Sequence, residues 1–332
     1  TYVHTFYKKE ATAQQPATSK EEGNLVAFSG PDFKATFDKQ SGLLTSYLYK
    51  KHEYILNGQG PRPFFWRAPT DNDYGANLPV RLKAWKEASY QEPKAESFQV
   101  TPGSNATTIK VTYRFPQTDA RWDITYKIYA SGVIKVDNRF VAEGDQAPMI
   151  PRVGLRMQLP ESFTDLTYYG RGPKENYRDR RTSQFIGEYA IPVKDMYEPY
   201  VRPQENNHRT DIYWCALTDK TQRGLLLIAD RTFELNASNY PLESMDSGDT
   251  IDNGAPRTEK THHRHLTDPL PEKMVDLFID YRMMGVGGDD SWGATAHEPY
   301  LIRPGKENAI EYGFSLVPFD KKEDYKYLIR QY

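Results

Sequence analysis

The sequence of 332 residues contains a single cysteine, Cys215, which excludes an internal disulfide framework. It lacks an excess of either charge. Lys plus Arg is 43 and Asp plus Glu is 45, a formal net charge of −2, which gives no global pull toward nucleic acid. No run approaches the ~18 apolar residues that a membrane-crossing helix needs, so no such helix is expected. No basic stretch followed by an apolar run opens the chain, so no signal peptide is read. The first residue is Thr1, not Met, and the chain is expected to be processed or a piece of something longer. No repeat of fixed period is visible. Helical periodicity is scarce as well. The best stretch is 76–89, with Leu78, Leu82 and Trp85 near helical spacing and Pro79 restricting its start.

What is abundant points to β structure. Aromatics are 13% of the chain, with 24 Tyr, and 23 Pro and 22 Gly fit many turns. Phe33, Ala35 and Phe37 alternate with polar partners, as do Ile109, Val111, Tyr113 and Phe115. Ile124, Tyr126 and Ile128 form one arm of a hairpin, Ser131-Gly132 turns it, and Ile134 and Val136 return. Val275, Leu277, Ile279, Tyr281 and Met283 repeat the pattern. The run Gly224-Leu225-Leu226-Leu227-Ile228-Ala229 is too short for a helix and reads as a buried central strand. Cys215 sits in a strand-like stretch and is expected to be a small buried hydrophobe. Residues 8–23 show no apolar period and read as a linker. The expected fold class is therefore all-β, a sandwich or barrel, with residues 24–332 as one large domain.

Four segments, 64–75, 168–180, 200–209 and 285–293, are dense in charge, glycine and aromatics outside strand periodicity. Aromatic planes beside fixed Asn, Asp, Glu and Arg suit sugar recognition, because a sugar ring packs its C–H face on the plane and pairs its hydroxyls with the polar groups. Buried turn networks that hold a large sandwich together use the same residue types, so both readings stand. Asp71, Asn72 and Asp73 have the composition of a calcium loop but lack its helix–loop–helix frame and bidentate Glu, and they read as a turn network. His263 and His265 would face one side of a strand and His262 the other, so they read as structural rather than metal-binding. The triplets at Asn105 and Asn236 match the N-glycosylation pattern, which arises easily by chance.

Read in order, these segments contain Arg67-Ala68-Pro69, Asp71-Asn72-Asp73-Tyr74-Gly75, Gly172-Pro173, Glu175-Asn176-Tyr177, Asp179-Arg180, Glu205-Asn206, Arg209 and Gly287-Gly288-Asp289-Asp290-Ser291-Trp292. With Asp195-Met196-Tyr197, Pro199-Tyr200-Val201 and His263-Arg264-His265-Leu266, this series resembles the C-terminal domain of the large bacterial lactose-hydrolysing β-galactosidases of glycoside hydrolase family two. The resemblance spans about residues 24–319 and rests on many short motifs in one order.

That resemblance implies a β-supersandwich of the galactose-mutarotase-like type. It implies a parent of five domains whose central (β/α)8 barrel carries both catalytic glutamates. Residues 1–23 would be the end of the preceding domain plus a linker. No catalytic residue is expected in this chain, which would be inactive alone. Trp292 is the expected substrate-binding residue, packing on the leaving group or acceptor at the barrel mouth, with its loop supported by Asp289, Asp290 and Ser291. Arg171, Glu175, Asn176, Tyr177, Glu205, Asn206 and Arg209 are weaker candidates. No cofactor or metal is expected in this chain, and a divalent cation would belong to the parent's barrel. Expected partners are a β-galactoside reached through the parent's active site, the barrel and neighbouring domains, and further copies in a homo-oligomer, with neither nucleic acid nor membrane. The compartment stays open between bacterial cytoplasm and periplasm. Two alternatives remain: an independent carbohydrate-binding module, and an aldose 1-epimerase, which needs an acid and a base across a sugar ring.

Overall fold

Alternating apolar residues make strands that bury one face, and the curled sheets of this chain follow from that pattern. A computed structural model describes residues 15–142, 149–247, 265–290, 293–303, 305 and 309–331. Among them the strands run, in chain order, β1 (Thr18–Glu22), β2 (Leu25–Ser29), β3 (Phe33–Asp38), β4 (Leu44–Tyr49), β5 (His52–Glu53) and β6 (Arg62–Phe64). Three short helices follow, α1 (Asp71–Gly75), α2 (Leu78–Arg81) and α3 (Lys83–Tyr90). Then come β7 (Ala95–Thr101), β8 (Thr107–Phe115), β9 (Ala120–Ile128), β10 (Ile134–Ala142), β11 (Arg152–Pro160), β12 (Asp165–Gly172) and β13 (Phe185–Pro192). The remainder are β14 (Arg209–Thr218), β15 (Gly224–Ser238), β16 (Met274–Met283), β17 (Ile310–Phe319) and the C-terminal helix α4 (Tyr325–Gln331).

Strands β1 to β5 form a five-stranded meander. The other twelve form one antiparallel sheet in the order β13-β12-β14-β15-β17-β10-β9-β8-β7, with β16, β11 and β6 added as a branch. The branch point is β15. Its first half, the predicted central run, is buried between β14 and β17, while Glu234 to Ser238 pairs with β16. Each fully buried Leu of that run contributes ~2 kcal/mol by leaving water. The small sheet packs on the large one through aromatics. Phe37 lies 5.0 Å from Tyr126, and Tyr47 Oη donates to the Gly132 carbonyl at 2.5 Å.

Most of the expected strands form, including the 124–128/134–136 hairpin, and Cys215 is buried in β14. The linker reading fails at Thr18–Glu22, which is the edge strand β1. Every residue of β1 is exposed, so it carries no apolar period, and its ladder with β2 holds it in place. The 76–89 helix is broken at Leu82 into α2 and α3, which keeps Trp85 buried against Phe65 at 5.1 Å. Among the described residues the helices are a short cover between β6 and β7 and the C-terminal α4.

Candidate functional site

The four marked segments meet at one end of the large sheet, and residues 168–172 of the second, expected outside strand periodicity, belong to β12. Arg67 is the first tie. Its Nε and Nη2 donate to the two Asp73 oxygens at 2.9 and 2.7 Å, and Nη1 donates to the Met284 carbonyl at 2.7 Å. Arg67 is 1% exposed, so this fork joins segment 64–75 to segment 285–293 in a place where an unpaired charge is costly. Thr70 caps α1, and Thr70 and Asp73 each bond the other's backbone N–H. The Glu205 N–H donates to the Ala68 carbonyl at 3.1 Å, and Gln204 Nε2 donates to Asp71 at 3.0 Å, which ties in the third segment. The Gly287 N–H donates to Asp179 at 2.7 Å and closes the ring of contacts.

Between these ties lies an open polar cavity of ≈ 290 Å³, lined by Thr70, Asp71, Asn72, Tyr177, Arg180, Tyr200, Gln204, Glu205 and Val286. One residue or more from each segment contributes. Tyr177 stacks on His208 at 5.4 Å, and the Arg180 guanidinium lies 5.1 Å over the Tyr177 ring from the cavity side. Glu175 accepts from Tyr200 Oη, from Arg180 and, at 2.7 Å, from the Asn207 N–H. Burial and the Glu175 carboxylate raise the Tyr200 hydroxyl above its ordinary pKa.

Behind the cavity is a buried charge layer. Arg152, fully buried, lies 3.2 Å from Asp280 and 3.5 Å from Glu205. Burial raises both carboxyls, Asp280 to about 7, and the Arg152 charge only partly offsets it. Asp280 fits there because Gly154 faces it: a Cβ at 154 would stand 1.8 Å from Asp280 Oδ1. Glu234 behaves in the opposite sense. Burial would raise it, but contacts from His208 Nε2 at 2.9 Å, Arg178 Nε at 2.6 Å and the Met283 N–H at 2.7 Å hold it below the usual range.

The family described as β-galactosidase small chain matches residues 29–316. The chain belongs to that family. It is 33% identical over 291 residues to a β-galactosidase of Priestia megaterium, covering 87% of this chain and 26% of the relative. It is 32% identical over 308 residues to a β-galactosidase of Lactobacillus delbrueckii subsp. bulgaricus, covering 90% of this chain and 28% of the relative. The chain therefore spans about a quarter of the length of the curated relatives it matches. A solved galactose 1-epimerase from Lactobacillus acidophilus superposes with a TM-score of 0.50 at 7% identity, covering 91% of this chain and 98% of the epimerase. That likeness supports the mutarotase-like β-supersandwich and concerns the fold alone.

Within this small chain the expected site residues separate. Tyr177 and Glu205 line the cavity, and Glu175 supports its Arg180 and Tyr200. Asn176 is fully buried and satisfied: its Oδ1 accepts from the Thr210 N–H and Oγ1, and its Nδ2 donates to the Arg171 and Lys174 carbonyls. Asn206 bonds the Glu198 N–H and the Gln204 carbonyl. Arg209 is buried against the Asn207 and His208 carbonyls. These three shape the loops and do not line the cavity, although the Arg209 Nε is buried without a hydrogen-bond partner. Arg171 donates to Asp211 at 2.8 Å and the Gln184 carbonyl, beside the segment rather than in the cavity. Asp289 is exposed and pairs with His297 at 2.7 Å, and Asp290 accepts from the Ala294 N–H. Ser291 and Trp292 lie outside the described residues, as do His262 and His263. Asn236 is buried and bonded to the Asn206 carbonyl, which leaves it closed to glycosylation. Sequence reasoning passed over Arg180, Tyr200 and Gln204. Their signal was present, since each sits in a segment already marked by aromatics and polar groups.

Proposed function

We propose that this chain is the fifth domain of a β-galactosidase of glycoside hydrolase family two, and that its loop cavity completes the rim of an active site held by a barrel elsewhere in the protein. The observation that carries this reading is the convergence of all four marked segments on one open polar cavity, beside the loop that leads to Trp292. Trp292 is the platform for the leaving group or acceptor in this reading, and Asp289 and Asp290 brace its loop. A retaining glycosidase needs two carboxyl groups ~5–5.5 Å apart, one free to act as acid and one as nucleophile. The carboxylates at this cavity are engaged otherwise: Glu175 with Arg180, Asp71 with Gln204, and Glu205 beside Arg152. This supports a chain that is inactive alone and a parent that hydrolyses terminal β-D-galactosides. The same engagement gives no support to an epimerase at this cavity.

The test is hydrolysis of a chromogenic β-galactoside by the 332-residue chain beside the full-length enzyme. The expected result is turnover by the longer protein only. Turnover by the isolated chain that survives repurification overturns the reading. In the full-length enzyme, Trp292→Ala is expected to weaken acceptor binding by ~1–3 kcal/mol, read from the ratio of transfer to hydrolysis at varied acceptor concentration.

A further inference from the structure

A second and larger concavity lies on the large sheet itself. It has a volume of ≈ 770 Å³, within the ~300–1,000 Å³ typical of small-ligand sites. Successive side chains on a strand point to opposite faces. Thr125, Asp137 and Gly313 line the concavity from one face of the large sheet and Asn138 and Tyr312 from the other, so the groove opens where β15 leaves β17 at Ala229 and turns to pair with β16 from Glu234. The Tyr177-to-Arg180 turn divides it from the loop cavity, with Tyr177 and Arg180 on one side and Arg178 on the other.

The groove's charges are not evenly matched. Each of its four carboxylates already has a cation: Asp137 and Asp230 share Lys135 at 3.1 and 2.6 Å, Asp123 pairs with Arg121 at 2.9 Å, and Glu311 lies 3.5 Å from Arg139. The cations are in surplus. Arg231 and Arg282 line the groove and make no ion pair with any described residue. Arg282 is the more telling of the two, because its Nε is buried without a hydrogen-bond partner. Burial and the nearby Arg178 guanidinium both disfavour its charge. Arg178 itself is committed through Nε to Glu234.

Backbone geometry turns this residue toward the groove. In the β11–β16 ladder Val153 faces Arg282 and Gly154 faces Asp280, so Tyr281 is the extra residue of a bulge. Bulges re-aim side chains and gather at functional sites. Here the consecutive Tyr281 and Arg282 flank the bulge and both line the groove. Tyr281 and Tyr312 lie 6.1 Å apart and give the groove an aromatic wall beside the surplus arginines. The floor is kept low at Gly313, where a Cβ would stand 2.4 Å from Asp230 Oδ2 and 2.5 Å from Lys135 Nζ.

From this combination we propose that the groove is a second saccharide site, selective for an anionic sugar whose carboxylate or sulfate sits on Arg282 and Arg231 while its ring packs along Tyr281 and Tyr312. The site shares no residue with the loop cavity and needs no catalytic step; that its sugar is galactose-based rests on the proposed function. It would hold an acidic galactose-containing chain against the domain while the rest of the protein acts elsewhere.

The experiment is titration calorimetry on the 332-residue chain at low salt with trigalacturonate, a sulfated galactotriose and neutral galactotriose. The expected result is binding of at least one anionic probe with a Kd below ~1 mM, at least about tenfold tighter than the neutral probe. Arg282→Gln and the exposed, fold-neutral Arg231→Gln should each weaken it by about tenfold, with unchanged thermal midpoints. Amide shifts in a matching NMR titration should centre on Thr125, Asn138 and Gly313. No binding by either anionic probe at ~10 mM overturns the proposal, as does equal affinity for the neutral sugar. Binding that both arginine variants leave unchanged overturns it equally.

Discussion

The loop cavity and the sheet groove are built on opposite electrostatic plans. Behind the cavity, charges are buried and matched: Arg67 to Asp73, Arg152 to Asp280 and Glu205, Glu234 to His208 and Arg178. In the groove, Asp137, Asp230 and Glu311 are paired while partly open to water, Asp123 is buried beside Arg121, and the cations exceed what the pairs require. The difference has a physical cause. Loops have no ladder of their own, so four of them converge only if side chains supply the ties, and ties of that kind must be dry to be strong. Strands are already fixed by their backbone ladder. Their outward side chains are free to be chosen for contact with a ligand.

The comparison can be broken most severely at Asp73. Asp73→Asn leaves the Arg67 guanidinium buried without its carboxylate, and a loss of ~3–5 kcal/mol in urea unfolding is expected. A loss under ~1 kcal/mol would show that the loops do not depend on this fork. Gly154→Ala comes next. The new methyl meets Asp280 where neither backbone nor side chain has room, and ~1–3 kcal/mol of stability should be lost.

A pH series sharpens the same contrast. Burial places the Asp280 carboxyl at about 7, above its unfolded value of ~3.9, so the folded chain holds that proton more tightly than the unfolded one. Its contribution to stability is complete below pH ~4 and is lost as the pH rises through about 7. Glu205 and Asp276, also raised by burial, act in the same direction, and Glu234, which is lowered, acts against them. Asp280→Asn should flatten the fall in unfolding free energy between pH ~4 and about 7, and an unchanged slope would remove Asp280 from the account. The smallest effect belongs to the groove. Lys127→Ala removes a solvent-facing partner of Asp137, and stability should change by less than ~1 kcal/mol.

Much of the scaffold was legible because burial leaves a period in the sequence. Ile109 to Phe115, the 124–136 hairpin and the run at Leu225 all read correctly for that reason. Strand β1 was illegible because an edge strand exposed on both faces has no apolar period to read. The marked segments were legible as a group but not residue by residue. Asn176 and Tyr177 are neighbours of similar promise in the sequence, yet one spends its amide on Thr210 and on the Arg171 and Lys174 carbonyls, and the other lines the cavity. The groove was invisible. Its residues include the polar runs 137–139 and 230–232, and nothing in such a run distinguishes a solvated stretch from a binding one.

By itself the sequence determined the all-β class, the central strand at Leu225 and the family, because alternation and ordered motifs are local properties of the chain. Only the tertiary structure decided that loops more than 200 residues apart share one cavity, as Asn72 and Val286 do, separated by 214 positions. It alone decided that Glu205 lies beside a buried arginine, and that Tyr281 and Arg282, which flank a bulge, both line one groove. The reason is that burial period is written along a strand, whereas partnership between charges depends on which strands and loops the fold brings together.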